Sequence, residues 1–139
     1  MTTARDIMHA GVECIDEDAT LSDAARKMRG LDVGSLPVCG SDDRLVGIIT
    51  DRDIVVRCIA AGRDPMTMRA RDLAQGDLFW IDADADDEEV LATMESHHVR
   101  RLPVIDDHRL VGIISEVDIA RCLPDQKVAE FVERVYQAR

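Results

Sequence analysis

The chain has 139 residues, enough for one domain or for two small halves that share a core. Hydrophobic residues make up 46% and aromatics only 3%, which argues against disorder and calls for an aliphatic interior. A formal net charge of −11 sets the surface against phosphate backbones, so a general nucleic-acid binder is excluded and only a local basic pocket is left open, with Arg52, Arg57, Arg100 and Arg101 as its candidates. No apolar run reaches the ~18 residues of a membrane span. The opening Met1 to Asp6 has no apolar signal core, so a cytoplasmic protein is expected.

Read in chain order, the sequence repeats itself. Ala4-Arg5-Asp6 recurs as Ala70-Arg71-Asp72, Ile15-Asp16 as Ile81-Asp82, and Leu36-Pro37-Val38 as Leu102-Pro103-Val104, all at one offset. After the loss of a residue in a turn, Arg44-Leu45-Val46-Gly47-Ile48-Ile49 recurs letter for letter as Arg109 to Ile114, and Asp53-Ile54 as Asp118-Ile119. Chance does not hold a register that long.

Each copy predicts the same series of elements. A strand ends near Cys14-Ile15, or Trp80-Ile81. A helix follows, capped by Thr20 with Asp23 as its reciprocal partner, or by Asp86 with Glu89. Leu21, Ala24, Ala25 and Met28 share one face of the first helix; Val90, Leu91 and Met94 share one face of its counterpart. The Leu-Pro-Val strand lacks a ladder donor at proline, so it is expected at an edge or paired on one side only. After a turn comes Leu45 to Ile49, whose β-branched run suits a strand covered on both faces. A second helix starts after Thr50, or after Ser115. Beyond Pro124, Val128, Phe131, Val132, Val135 and Tyr136 fall on one face of a terminal helix, which serves as a lid on the core or as a dimer contact. The expected fold class is α/β (α+β). Two pseudo-symmetric repeats, 1–65 and 66–123, pack into one compact module with two equivalent clefts between them, and 124–139 forms a C-terminal amphipathic helix.

These residues resemble the CBS domain. Its signature is a hydrophobic-Pro-hydrophobic strand followed by Gly-hydrophobic-hydrophobic-Thr/Ser-x-x-Asp, here Gly47-Ile48-Ile49-Thr50-Asp51-Arg52-Asp53 and Gly112-Ile113-Ile114-Ser115-Glu116-Val117-Asp118. The resemblance runs from about residue 5 to residue 122 and is similar in layout to the small two-CBS hypoxic response proteins of mycobacteria. It implies a tandem pair, often called a Bateman module, that commonly forms a homodimer. Many such modules bind AMP, ADP, ATP or S-adenosylmethionine; others have no known ligand.

The junction motif makes sense as a nucleotide site. Thr50 and Ser115 stand at helix starts, where free N–H groups favour phosphate. Asp53 and Asp118, one turn inward, are placed to accept from a ribose diol. Gly47 and Gly112 permit close approach of a ligand or a strand. Apolar surface near Pro37, Ile49, Pro103 and Ile114 would hold a purine. Asp51 and Glu116 oppose a phosphate. Arg52 offsets this in the first cleft; Val117 stands at that position in the second, which must borrow Arg100 or Arg101. Read without the resemblance, Thr50, Ser115, Asp53 and Asp118 serve equally well as helix caps.

Four cysteines contain no CxxC pair. Cys14 and Cys39 have apolar repeat mates, Trp80 and Ile105, and end neighbouring strands, so a disulfide between them is one reading and two buried thiols the other. His97, His98 and Cys122 are metal-ligand candidates against a solvated helix end. No nucleophile elbow, phosphate-binding loop or HExxH is present, so no enzyme is expected. The expected function is ligand sensing in the clefts, read by a partner effector protein. The alternative is a redox- or metal-responsive structural protein that binds no nucleotide.

Overall fold

The computed structural model describes residues 2–74 and 78–137. In chain order its regular elements are α1 (Ala4–Ile7), β1 (His9–Ala10), β2 (Ile15–Asp16), α2 (Leu21–Leu31), β3 (Ser35–Cys39), β4 (Leu45–Thr50), α3 (Asp51–Asp53), a π-helical segment (Ile54–Ile59), α4 (Ala70–Leu73), β5 (Ile81–Asp82), α5 (Asp87–His97), β6 (Arg101–Asp106), β7 (Arg109–Ser115), α6 (Glu116–Cys122) and α7 (Asp125–Tyr136). A mixed α/β fold of two repeats results.

Local chemistry sets the helix ends. Asp23 N donates to Thr20 Oγ at 3.1 Å and Thr20 N donates back to Asp23 at 3.4 Å, the two-way box expected at α2. At α5 the bond runs one way: Glu89 N donates to Asp86 at 2.9 Å. Both helices end in a left-handed residue, Asp32 at φ 56 and His98 at φ 53. Leu21, Ala24 and Met28 are buried on α2, but Ala25 is exposed. The buried arc centres on Ala24 and Met28, and Ala25 falls at its margin.

The chain packs as two compact units, and they do not follow the repeat boundaries. One is Val12–Leu78; the other joins Met1–Gly11 to Phe79–Arg139. Each leading Ala-Arg-Asp segment sits on the body of the other repeat. Ala4 N and Arg5 N donate to the carbonyls of Ala85 and Ala83 at 2.8 and 3.0 Å; Ala70 N and Arg71 N donate to those of Ala19 and Glu17 at the same distances. The sequence repeat alone assigns these segments to their own copies.

Among the described residues the first unit has three sheet strands in the order β2-β3-β4, with β2 parallel and β4 antiparallel to β3. The second has four strands in the order β1-β7-β6-β5. The Leu-Pro-Val strands, β3 and β6, are therefore interior rather than edge strands. Proline is tolerated because the parallel neighbour pairs only beyond it: Ile15 aligns with Val38, whereas Pro37 aligns with Ile48 alone.

The identical Leu-Val-Gly-Ile-Ile strands differ in setting. β7 is flanked by β1 and β6, and Gly112, Ile113 and Ile114 are buried in succession. Among the described residues β4 pairs with β3 alone, and its burial alternates, with Gly47 and Ile49 inside. The expectation of coverage on both faces thus fails for β4. Both glycines answer to a close chain neighbour: a Cβ on Gly47 would lie 2.5 Å from the Ala74 carbonyl oxygen, and one on Gly112 2.8 Å from that of His9.

Each unit has its own aliphatic core. In the first, Leu21, Leu36, Val38 and Ile49 cluster; in the second, Val90, Met94, Leu102, Ile114 and Ile119 do. Helix α7 joins the second core through Phe131 and Val135, and so acts as a lid on its own unit, leaving Val132 exposed. Among the described residues no helix is long and apolar enough to cross a membrane.

Candidate functional site

The strand-to-helix junctions carry most of the expected site residues. At the first, Asp53 N donates to Thr50 Oγ at 3.1 Å and Thr50 N donates to Asp53 Oδ2 at 2.9 Å. The helix here is short: α3 spans three residues before the π-helical segment. The helical backbone runs on without a break from Asp53 into that segment. Asp53 is half-buried, and Arg52 is exposed beside it. Arg57 points elsewhere, donating to the Leu73 carbonyl at 3.0 Å.

At the second junction, Asp118 Oδ2 accepts from Ser115 N at 2.8 Å and from Ser115 Oγ at 2.9 Å. It also faces His9 Nδ1 at 2.8 Å. Asp118 is the charged side chain buried among the described residues, 6% exposed. A buried carboxylate requires such partners; neither the burial of Asp118 nor the contact with His9 was expected from the sequence. The carboxylate was expected to meet a ribose; here protein donors meet it.

A small pocket of about 100 Å³ opens beside this junction, lined by Arg100, Arg101, Ser115, Glu116 and Val117. Register explains the composition, because Arg101 lies directly opposite Ser115 across β6 and β7. In the first repeat Ser35 stands opposite Thr50, so no cation is placed there. Glu116 would oppose an anion, but it accepts from the Tyr136 hydroxyl at 2.6 Å. Tyr136 in turn accepts from Arg100 Nη1 at 3.2 Å, and its ring centroid lies 5.5 Å from the Arg100 Cζ. The Tyr136 hydrogen bond, more than the nearby charge of Glu116, raises the Arg100 pKa further, so the guanidinium stays charged. Tyr136, from the terminal helix, was not foreseen as part of this site.

Four of the expected contacts are buried. Ile49 and Ile114 are fully buried in the two cores, and Pro37 and Pro103 are buried beside them. Strand alternation turns both isoleucines inward, so none of the four offers a purine an open surface in this conformation.

Cys14 and Cys39 are joined by a disulfide, with Cα atoms 5.8 Å apart. Cys39 is buried and Cys14 half-buried, whereas Trp80, the repeat mate of Cys14, is 51% exposed. The inward or sheet-facing placement expected of the two cysteines holds for Cys39 and only in part for Cys14. His97 stacks on Phe79 with centroids 3.8 Å apart, His98 Nδ1 lies 3.2 Å from the Val135 carbonyl oxygen, and Cys122 is a free, exposed thiol. Among the described residues no three His, Cys, Asp or Glu side chains gather as a metal-ligand set.

The CBS domain family model matches residues 4–59 and 70–125. The chain belongs to the CBS-domain family. Among CBS proteins it is 55% identical over 135 residues to hypoxic response protein 1 of Mycobacterium tuberculosis, covering 97% of this chain and 94% of that one. A crystal structure of Hypoxic Response Protein I with two coordinated zinc ions matches at a TM-score of 0.79 and 58% identity, covering 88% of this chain and all of that one. A hexameric CBS-CP12 protein from bloom-forming cyanobacteria matches at 0.78 and 32% identity, covering 96% of this chain and 74% of that one. These CBS kin show the fold and a regulatory family; the ligand is a separate matter.

Proposed function

We propose that the chain is a non-catalytic regulatory module that binds an adenosine nucleotide at its strand-to-helix junctions and reports the bound state to a partner protein. The observation that carries this reading is the pocket formed by Arg100, Arg101 and Ser115. At about 100 Å³ it takes a phosphate group and leaves the rest of a nucleotide outside. Two guanidiniums favour AMP, ADP or ATP over S-adenosylmethionine, which brings a sulfonium and no phosphate. At the first junction Thr50, Arg52 and Asp53 are the contacts, with the half-buried Asp53, which also accepts from Thr50 N, as the carboxylate for a ribose. The purine must then lie on surface other than Ile49 and Ile114. Exposed Val55, Val56 and Ile59 on the π-helical segment support a homodimer. Net charge argues against nucleic-acid partners, and kinship with hypoxic response proteins supports a role in stress.

Thermal unfolding with AMP, ATP and S-adenosylmethionine at about 1 mM tests the reading. A ligand at 100 times its Kd adds roughly 2.7 kcal/mol to stability. A rise with AMP or ATP, reduced in Arg101→Ala or Asp53→Ala, is expected. No rise with any of the three overturns it.

A second reading, a redox- or metal-responsive protein, is favoured by the Cys14–Cys39 disulfide and by the zinc ions of the Hypoxic Response Protein I structure. Its donors would be His97 and Cys122, but the described residues of one chain supply no complete ligand set. Full alkylation of Cys14 and Cys39 without reductant removes the redox half. Failure of the protein to take zinc from a chromogenic chelator removes the metal half.

A further inference from the structure

We infer that His9 is the specificity-determining residue of the second junction: it occupies Asp118 and so denies that site a grip on ribose while leaving its phosphate pocket open. The inference rests on the nucleotide reading above. Its basis is the geometry of one oxygen. Asp118 Oδ2 meets Ser115 N, Ser115 Oγ and His9 Nδ1, all within 2.9 Å. The Ser115 amide can only donate, so Oδ2 is an acceptor there. His9 Nδ1 therefore carries its proton toward Asp118, as the neutral Nδ1–H tautomer or as imidazolium. The imidazole is 51% exposed and the carboxylate beneath it 8%.

The backbone fixes this arrangement. His9 pairs with Ile113 and Ala10 with Gly112, and only a glycine at 112 admits the His9 carbonyl so close to β7. A ribose diol would have to displace the imidazole, whereas a phosphate meets Arg100 and Arg101 without touching it. The first junction differs. Asp53 is half-buried and accepts from Thr50 N at 2.9 Å. By the repeat, the counterpart of His9 there is Gln75, which lies outside the described residues.

Isothermal titration of the full chain tests this, with AMP and inorganic pyrophosphate as probes. An Asp53→Ala background silences the first junction. There, His9→Ala is expected to raise AMP affinity about ten- to a hundredfold, the equivalent of one charge-assisted hydrogen bond no longer displaced. Pyrophosphate affinity should stay within about twofold, because the Arg100 and Arg101 pocket is intact. His9→Asn, whose amide can still donate to Asp118, should behave as the parent does and controls for folding. Equal AMP affinity with and without His9, while pyrophosphate binds and Arg101→Ala abolishes it, overturns the role of His9 alone. No binding of either probe by any variant overturns the nucleotide reading, and the role of His9 with it.

Discussion

The two repeats carry the same six-residue strand and the same junction pattern, yet they sit in different surroundings. In the second, β1 closes the outer edge of β7, α7 covers the core, and Asp118 is buried under His9. In the first, Asp53 is half-buried, and the Cys14–Cys39 bridge stands where the second repeat has an exposed tryptophan and a half-buried isoleucine. The second is covered by a terminal helix, and the first carries a covalent link. Identical strand sequences thus do not imply equivalent sites, because burial of a carboxylate depends on what packs over it.

Four changes would break or sharpen this contrast. The largest effect is expected from Phe131→Ala. This fully buried ring anchors α7, and its loss should destabilise the second unit by about 3–5 kcal/mol. Denaturant unfolding followed by circular dichroism would measure it; a loss under about 1 kcal/mol would mean α7 is no structural part of that unit. Reduction of Cys14–Cys39 comes next. The bridge spans a sequence separation of 25, so removing it should lower stability by about 3 kcal/mol, chiefly in the first unit. Unfolding curves that coincide with and without reductant would refute a covalent contribution.

Asp118→Ala should then be more damaging than Asp53→Ala. Loss of Asp118 strips acceptors from Ser115 and His9, about 2–3 kcal/mol, whereas Asp53→Ala removes a single capping interaction, about 1 kcal/mol. Equal losses would erase the asymmetry on which the role of His9 depends.

The smallest effect concerns the leading segments. Thr3 N donates to Asp6 at 2.9 Å, and this bond, together with that from the Thr3 hydroxyl, lowers the Asp6 pKa below the usual carboxylate value. A folded-state pKa below the unfolded one stabilises above the unfolded pKa and is lost as pH falls through the folded one. The protection of the α1 amides, relative to exchange of unstructured chain at the same pH, should therefore fall below about pH 4, and Asp6→Asn should show that lower protection already at neutral pH. Protection unchanged by both would show that the cap is idle.

Much of the fold was legible because it rests on local rules. Thr20 and Thr50 are capped as their spacing requires, and Leu-Pro-Val precedes Leu-Val-Gly-Ile-Ile as neighbouring antiparallel strands in both copies. Ser115 and Asp118 were found together for the same reason: three residues apart at a helix start, they must meet. The site partners were not legible. His9 lies 109 residues from Asp118 and Tyr136 lies 20 from Glu116, and neither spacing has a periodic signature.

The sequence by itself determined the repeat, the element order, the helix caps and the family, since each depends on side chains a turn or a strand apart. Tertiary structure alone decided which leading segment covers which repeat, why a proline strand can be interior, and which carboxylate is buried. Those outcomes depend on where distant backbone donors and acceptors find partners. The Ala-Arg-Asp motif reads the same whether it folds onto its own repeat or onto the other.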